Sequence, residues 1–295
     1  MSGNAKKISF AVFAACAFTF ALPLSACTSQ RESDGSGSTD DKQDVSAVVS
    51  VKEWKILEGK DSETSVYQYT TDKKGPKTVI VGGTHGDEVA GWTTALNLVE
   101  EIPTIKGVCG EILLIPQANI VADKAQTRCY GTTKNENARN LNRAFPLDRD
   151  ENAIEEVTEI ADAIVNTIET FVGDYRYGTD GDLCIIDLHE SIASSATRLG
   201  STLIYSNQTF FMEDLRGIYN DKYREEGEDR FTNVDATQTG SFSYYFTDKY
   251  EDAVVFTIET NRGRVNGQDT IALDVRVRQQ RNVLNALFDL TWNRT

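Results

Sequence analysis

The sequence predicts an α/β three-layer sandwich built on a mixed, largely parallel central sheet. Three observations carry that prediction. From Val48 onward, short apolar runs alternate with segments of helical periodicity, as strands separated by helices do. Val79-Ile80-Val81 and Leu183-Cys184-Ile185-Ile186 are continuous apolar runs, the mark of buried strands. Three runs end in chemically able side chains: His85 with Glu88, His189, and Glu259. In sheets of this kind ligands bind beyond the carboxyl ends of the strands.

Taken in order, Val48 to Leu57 and Val66 to Thr70 read as a leading hairpin, followed by the strand at Val79. Helical periodicity runs from Glu88 to Ile102, then a strand from Ile112 to Ile115, a long loop, and a helix near Ala153 to Val172. The strand before His189 comes next, then Thr202 to Tyr205, a helix around Phe210 to Glu225, a strand from Ala253 to Ile258, and a closing helix from Thr270 to Leu290. With 40% hydrophobic residues, the chain has enough apolar material for a sizeable core, and residues 47–295 show neither an internal repeat nor a second boundary.

Residues 1–26 read as a targeting segment rather than part of the fold. Lys6 and Lys7 form a positive start, Ile8 to Leu22 is mostly apolar and short for a bilayer span, and Leu24-Ser25-Ala26-Cys27 closes the segment. This resembles a bacterial lipoprotein signal, which implies a lipid on Cys27 and a cell-membrane lipoprotein with its catalytic domain outside the cytoplasm. A plain secretory signal is the alternative, and Leu24 three residues before Cys27 favours the lipobox. Residues 27–46 are nearly all polar or glycine and read as a flexible tether. Net charge is −15, and removing residues 1–26, with two lysines and no acid, leaves −17. So acidic a body argues against nucleic acid and against anionic lipid as partners.

The stretch Thr78 to Trp92, T-V-I-V-G-G-T-H-G-D-E-V-A-G-W, organises the chain. Gly82 and Gly83 turn the backbone, so His85 and Glu88, three apart, fall where a strand gives way to a helix. Two histidines and a carboxylate with an open position suit a catalytic zinc. Either histidine alone reads as a hydrogen-bonded structural residue; the chain has only two, His85 and His189, at matching places. Cys109, Cys129 and Cys184 allow one internal bridge outside the cytosol, with Cys109 and Cys129 the pair to test; no Cys-x-x-Cys spacing indicates a structural zinc.

Glu259 ends a very apolar run, and a carboxylate is costly to bury there unless something uses it. It reads as a general base, with a salt bridge to Arg262 or Arg264 as the alternative. The loop after Ile115 carries Arg128 and then Arg139-Asn140-Leu141-Asn142-Arg143, side chains suited to hold a carboxylate.

G-G-T-H-G-D-E, N-L-N-R-A-F-P, D-L-H-E and T-I-E-T, in this order, resemble the succinylglutamate desuccinylase and aspartoacylase family of the zinc carboxypeptidase superfamily. The resemblance implies a zinc carboxypeptidase-like fold and one zinc held by His85, Glu88 and His189. It also implies Glu259 as base, Asn142 and Arg143 as the receivers of a substrate carboxylate, and Arg128 as the arginine that polarises the scissile carbonyl. Two departures stand out. Asn140 replaces the family's usual Asp, and Glu190 follows the second histidine, where it would change the charge of the pocket. The chain ends soon after its last helix, without the β domain of aspartoacylases, so their substrate transfers less readily than their chemistry.

The expected activity is zinc-dependent hydrolysis of an amide next to a free carboxylate, in an N-acyl amino acid or at the end of a peptide. A location outside the cytoplasm favours the peptide. Tyr244 and Tyr245 are candidates to close over substrate, with core packing as the alternative. A non-catalytic substrate-binding lipoprotein on this fold would show substitutions at the ligands or base, and none is present. Another divalent metal would also accept this ligand set.

Overall fold

The computed structural model describes residues 47–132, 136–176, 181–192, 200–235 and 237–292. Residues 1–26, Cys27 and the tether to residue 46 lie outside the described residues.

Eight strands form one sheet: β1 (Val49–Ile56), β2 (Thr64–Thr71), β3 (Lys77–Gly82), β4 (Glu111–Ile115), β5 (Leu183–Ser191), β6 (Thr202–Tyr205), β7 (Thr232–Asp235) and β8 (Val254–Asn261). Their order is β1-β2-β4-β3-β5-β8-β6-β7. The central four, β4, β3, β5 and β8, run parallel, whereas β2 lies antiparallel to β4 and β6 antiparallel to β8. The carboxyl ends of β3, β5 and β8 therefore stand side by side. The sheet is mixed and mostly parallel, as the sequence predicts.

Helices cover both faces, which is why the central strands are apolar on both sides. On one face Ile80, Leu114, Ile186 and Phe256 pack with α1 (Val89–Glu101), α5 (Thr209–Ile218) and α7 (Leu273–Trp292). On the other, Val79, Leu113, Ile185 and Val255 meet α4 (Glu155–Val172) and α6 (Phe242–Lys249). Strand side chains alternate, so His189 and Glu259 share the α4/α6 face with Ile185 and Val255, while Glu190 is directed to the face of α1 and α7.

Four elements differ from the sequence prediction. A short helix, α2 (Ile120–Ala125), and a single turn, α3 (Glu136–Arg139), interrupt the long loop, β7 extends the sheet edge, and α6 follows Ser241. Helix α6 is rich in aromatic residues of modest helix propensity, and it starts because Ser241 caps it, its hydroxyl accepting from Tyr244 N at 3.2 Å. The bridge between Cys109 and Cys129 is not formed; these two and Cys184 are buried thiols. Cys109 belongs to the core under α1 and α7, whereas Cys129 donates to the Glu136 carbonyl at 3.5 Å.

Candidate metal centre

The loop from β3 to α1 reaches the sheet edge by packing on α2. Gly83 has φ +76°, a conformation that favours glycine, and a Cβ on Gly86 would lie 2.0 Å from the Ala122 carbonyl carbon. Two backbone bonds, Ala118 N to Gly82 O at 2.8 Å and Asn119 N to Gly83 O at 3.0 Å, hold the loop down. His85 is thereby fixed beyond the end of β3 and Glu88 at the start of α1.

The three expected ligands converge. His85 Nδ1 lies 2.9 Å from Glu88 Oε1, and His189 Nδ1 lies 2.7 Å from Glu88 Oε2. All three side chains are buried, and their ligand atoms fall within 4.8 Å of one another. The far side of each ring is also held: His85 Nε2 by Asn140 Oδ1 at 3.0 Å, His189 Nε2 by Asp187 Oδ2 at 2.7 Å. Asp187 takes a further bond from the Thr84 hydroxyl at 2.9 Å.

Protonation follows from these contacts. Burial lowers the His85 pKa, an effect that Glu88 only partly offsets, so the ring is neutral. Burial also disfavours charge on His189, yet Asp187 and Glu88 hold its pKa well above the usual range. For Glu88, burial raises the pKa, but the two histidines keep it well below the ordinary value. Asn140 Oδ1 also accepts from Asn142 N at 2.9 Å. That backbone N–H identifies the facing atom as oxygen, so His85 carries its proton on Nε2 and its Nδ1 lone pair faces the Glu88 carboxylate. Two acceptors at bonding distance without a proton between them are what a cation reconciles. The donor set, two imidazole nitrogens and a carboxylate, fits zinc, and the outer partners are of the kind that orient zinc-bound histidines.

Glu259 stands opposite His189 in the register of β8 and β5. It forms no salt bridge with the two arginines proposed as alternatives. Arg262 pairs with Asp87 and Asp269, both at 3.1 Å, and Arg264 approaches Asp269 at 3.7 Å. Glu259 Oε2 is shut off from solvent without a hydrogen-bond partner. Burial, reinforced by Glu88 and Asp187 against the pull of His189 and Arg128, pushes its pKa up to about 8.

Arg128 reaches the same centre, donating to Glu88 Oε1 at 2.6 Å and pairing through Nε with Glu136 at 3.0 Å. Asn142 is oriented by Phe242 N, which donates to its Oδ1 at 2.9 Å, leaving the amide NH2 as a donor. Arg143 donates to the Gln238 side chain and to the Asn142 carbonyl, and its neighbours include no ion-paired carboxylate among the described residues. The two tyrosines are tied down elsewhere. Tyr245, half-buried against the core, bonds Glu169 of α4 at 2.6 Å and packs edge-on against Phe246. Tyr244 donates to Asp148 at 3.0 Å.

Glu190 does not charge the site. It faces away from His189, accepts from Ala90 N at 2.9 Å and is paired with Arg276 of α7. One turn on, Gln280 donates to the His189 carbonyl at 2.8 Å and to Thr260 Oγ1 at 3.1 Å. Sequence reading missed Asp187, Arg276 and Gln280. Only Asp187 left a signal, since residues two apart in a strand share a face.

The family described as the succinylglutamate desuccinylase/aspartoacylase catalytic domain matches residues 74–284. The N-alpha-acetyl-L-2,4-diaminobutyric acid deacetylase of Halomonas elongata is 30% identical over 105 residues, 36% of this chain and 29% of that enzyme. The chain thus aligns with under a third of that curated relative. An aspartoacylase family protein from Mesorhizobium loti shares the fold with a TM-score of 0.54 at 21% identity, over 83% of this chain and 68% of its own. Carboxypeptidase A from Helicoverpa armigera does so with 0.56 at 15% identity, over 81% and 67%. Because the family match takes in more than two thirds of the chain, with both histidines, Glu88 and Glu259 inside it, the chain belongs to the succinylglutamate desuccinylase/aspartoacylase catalytic-domain family.

Proposed function

We propose that this protein is a zinc-dependent amide hydrolase that releases an amino acid from an N-acyl amino acid, with a peptide bearing a free terminal carboxylate as the second substrate class. One observation carries the reading: an imidazole nitrogen of His85 and one of His189 face the two oxygens of Glu88, with Glu259, whose Oε2 has no hydrogen-bond partner, on the neighbouring strand.

His85, Glu88 and His189 would hold zinc, which when bound would supply Lewis acidity toward the attacking water and the scissile carbonyl. Glu259 takes the proton of that water and returns it to the leaving nitrogen. Its raised pKa falls toward neutral when positive charge is present at the ligands, the range in which a general base works best. Arg128, beside Glu88, donates to the developing oxyanion. Arg143 and the Asn142 amide hold the substrate carboxylate, supported by the absence of an ion-pair partner for Arg143 among the described residues.

The Halomonas elongata relative is named for deacetylating an N-acetylated amino acid, which supports the first substrate class. The N-terminal residues support the second, since Cys27 and the tether to residue 46 would place the domain outside the cytoplasm at a membrane. Purified protein lacking residues 1–27, with its zinc content measured, is to be screened on N-acyl amino acids and on peptides, each with free and amidated carboxylates. Absence of turnover on all of them by fully zinc-loaded protein overturns the proposal.

A further inference from the structure

The two imidazoles of the metal centre are backed by unlike groups. His189 Nε2 meets the carboxylate of Asp187 at 2.7 Å, whereas His85 Nε2 meets an uncharged amide, Asn140 Oδ1, at 3.0 Å. Asn140 is 2% exposed, so no water shares that contact from bulk. The same oxygen accepts from Asn142 N at 2.9 Å, and Asn142 in turn receives Phe242 N at 2.9 Å. One amide oxygen therefore ties a metal ligand to the turn that presents Asn142 and Arg143.

We infer that Asn140 is a positioning residue with two effects: it fixes the ligating face of His85 and ties the Asn142–Arg143 turn to that ring, and, being neutral, it leaves His85 the weaker of the two histidine ligands. The inference rests on the zinc reading proposed above. A carboxylate behind a ligating histidine raises the basicity of its other nitrogen, and outer partners of this kind change metal affinity about 10–100-fold. Asp187 gives His189 that support; Asn140 orients His85 without it.

Two substitutions separate the effects. Asn140→Asp keeps the shape and both accepted bonds and adds the charge. Asn140→Ala removes the acceptor from His85 and from the turn together. The readout is the zinc dissociation constant, by competition with a chromophoric chelator, alongside KM and kcat on an N-acetyl amino acid. Asn140→Asp is expected to bind zinc about tenfold more tightly. Asn140→Ala is expected to bind it about tenfold less tightly and to raise KM when assayed at saturating zinc. An Asp variant no tighter than the parent overturns the charge argument, and an Ala variant with parental zinc affinity and KM overturns the positioning role. If the Ala variant fails to fold, Asn140→Ser, whose hydroxyl is too short to reach both His85 Nε2 and Asn142 N, takes its place in the same measurements, with the same outcomes deciding. A parent protein that takes up no zinc defeats the metal reading itself, a result distinct from either.

Discussion

Glu259 of β8 and His189 of β5 are register partners on adjacent parallel strands, so the expected base and an expected ligand are placed by the sheet itself. Backbone pairing sets their separation, and no flexible loop intervenes. A site built on strands in this way holds its geometry more closely than one built on loops.

Removing the base is therefore expected to change chemistry and little else. Glu259→Gln keeps the shape and relieves a half-buried carboxyl whose pKa is pushed up to about 8. Zinc content should stay at one per chain while kcat falls by about 10²–10⁴. Metal analysis with steady-state kinetics checks this; retained turnover moves the base elsewhere.

What the sequence disclosed follows the same division between strand and loop. The apolar runs of β3, β5 and β8 are continuous, so their ends and the residues beyond them could be located, and a chain with two histidines leaves little choice of ligand. Loop geometry was less visible. Asn140 stands 55 residues from His85, and that contact depends on the turn into Leu141–Arg143. The start of α6 was equally hidden, so the sequence left Tyr245 open between substrate contact and packing, and helical phase turns its ring toward Glu169. Glu190 was read as a pocket charge because it adjoins His189, yet strand alternation sends it to Arg276 on the opposite face.

That buried pair gives a stability prediction. Side chains of Arg276 and Glu190 are 6% and 0% exposed, so Arg276→Met strands a carboxylate in the core. The expected loss is about 3–5 kcal/mol in urea denaturation. The double variant Arg276→Met with Glu190→Gln should recover much of it, since the stranded charge is then gone. A single variant with parental stability would show that the pair is not energetically coupled to the fold.

Arg143→Ala tests the carboxylate anchor. Arg143 is desolvated, which lowers its pKa, and it sits near Arg128, whose charge lowers it further. A substrate carboxylate relieves both effects. The variant should lose about 1.5–3 kcal/mol of transition-state binding, roughly 10–150-fold in kcat/KM, on substrates with a free carboxylate. Equal losses on the amidated analogues would refute the anchoring role.

Asp123 of α2 gives a pH dependence away from the ligands. Its carboxylate is packed under Gly83, both oxygens are buried without a well-formed bond, and burial pushes its pKa from 3.8 to about 8, with Gln117 drawing it only partly back. The folded protein thus keeps a proton that the unfolded chain releases above its lower pKa. Stability from this group is complete below about pH 4 and is lost as pH rises toward 8, then levels off. Asp123→Asn removes the titration, so its stability relative to the parent should improve between pH 5 and pH 9, by roughly 5 kcal/mol at most. Urea denaturation of the two chelator-treated proteins at both pH values measures the difference directly. A gap that does not change with pH means that Asp123 is ionised in the fold and has found a partner.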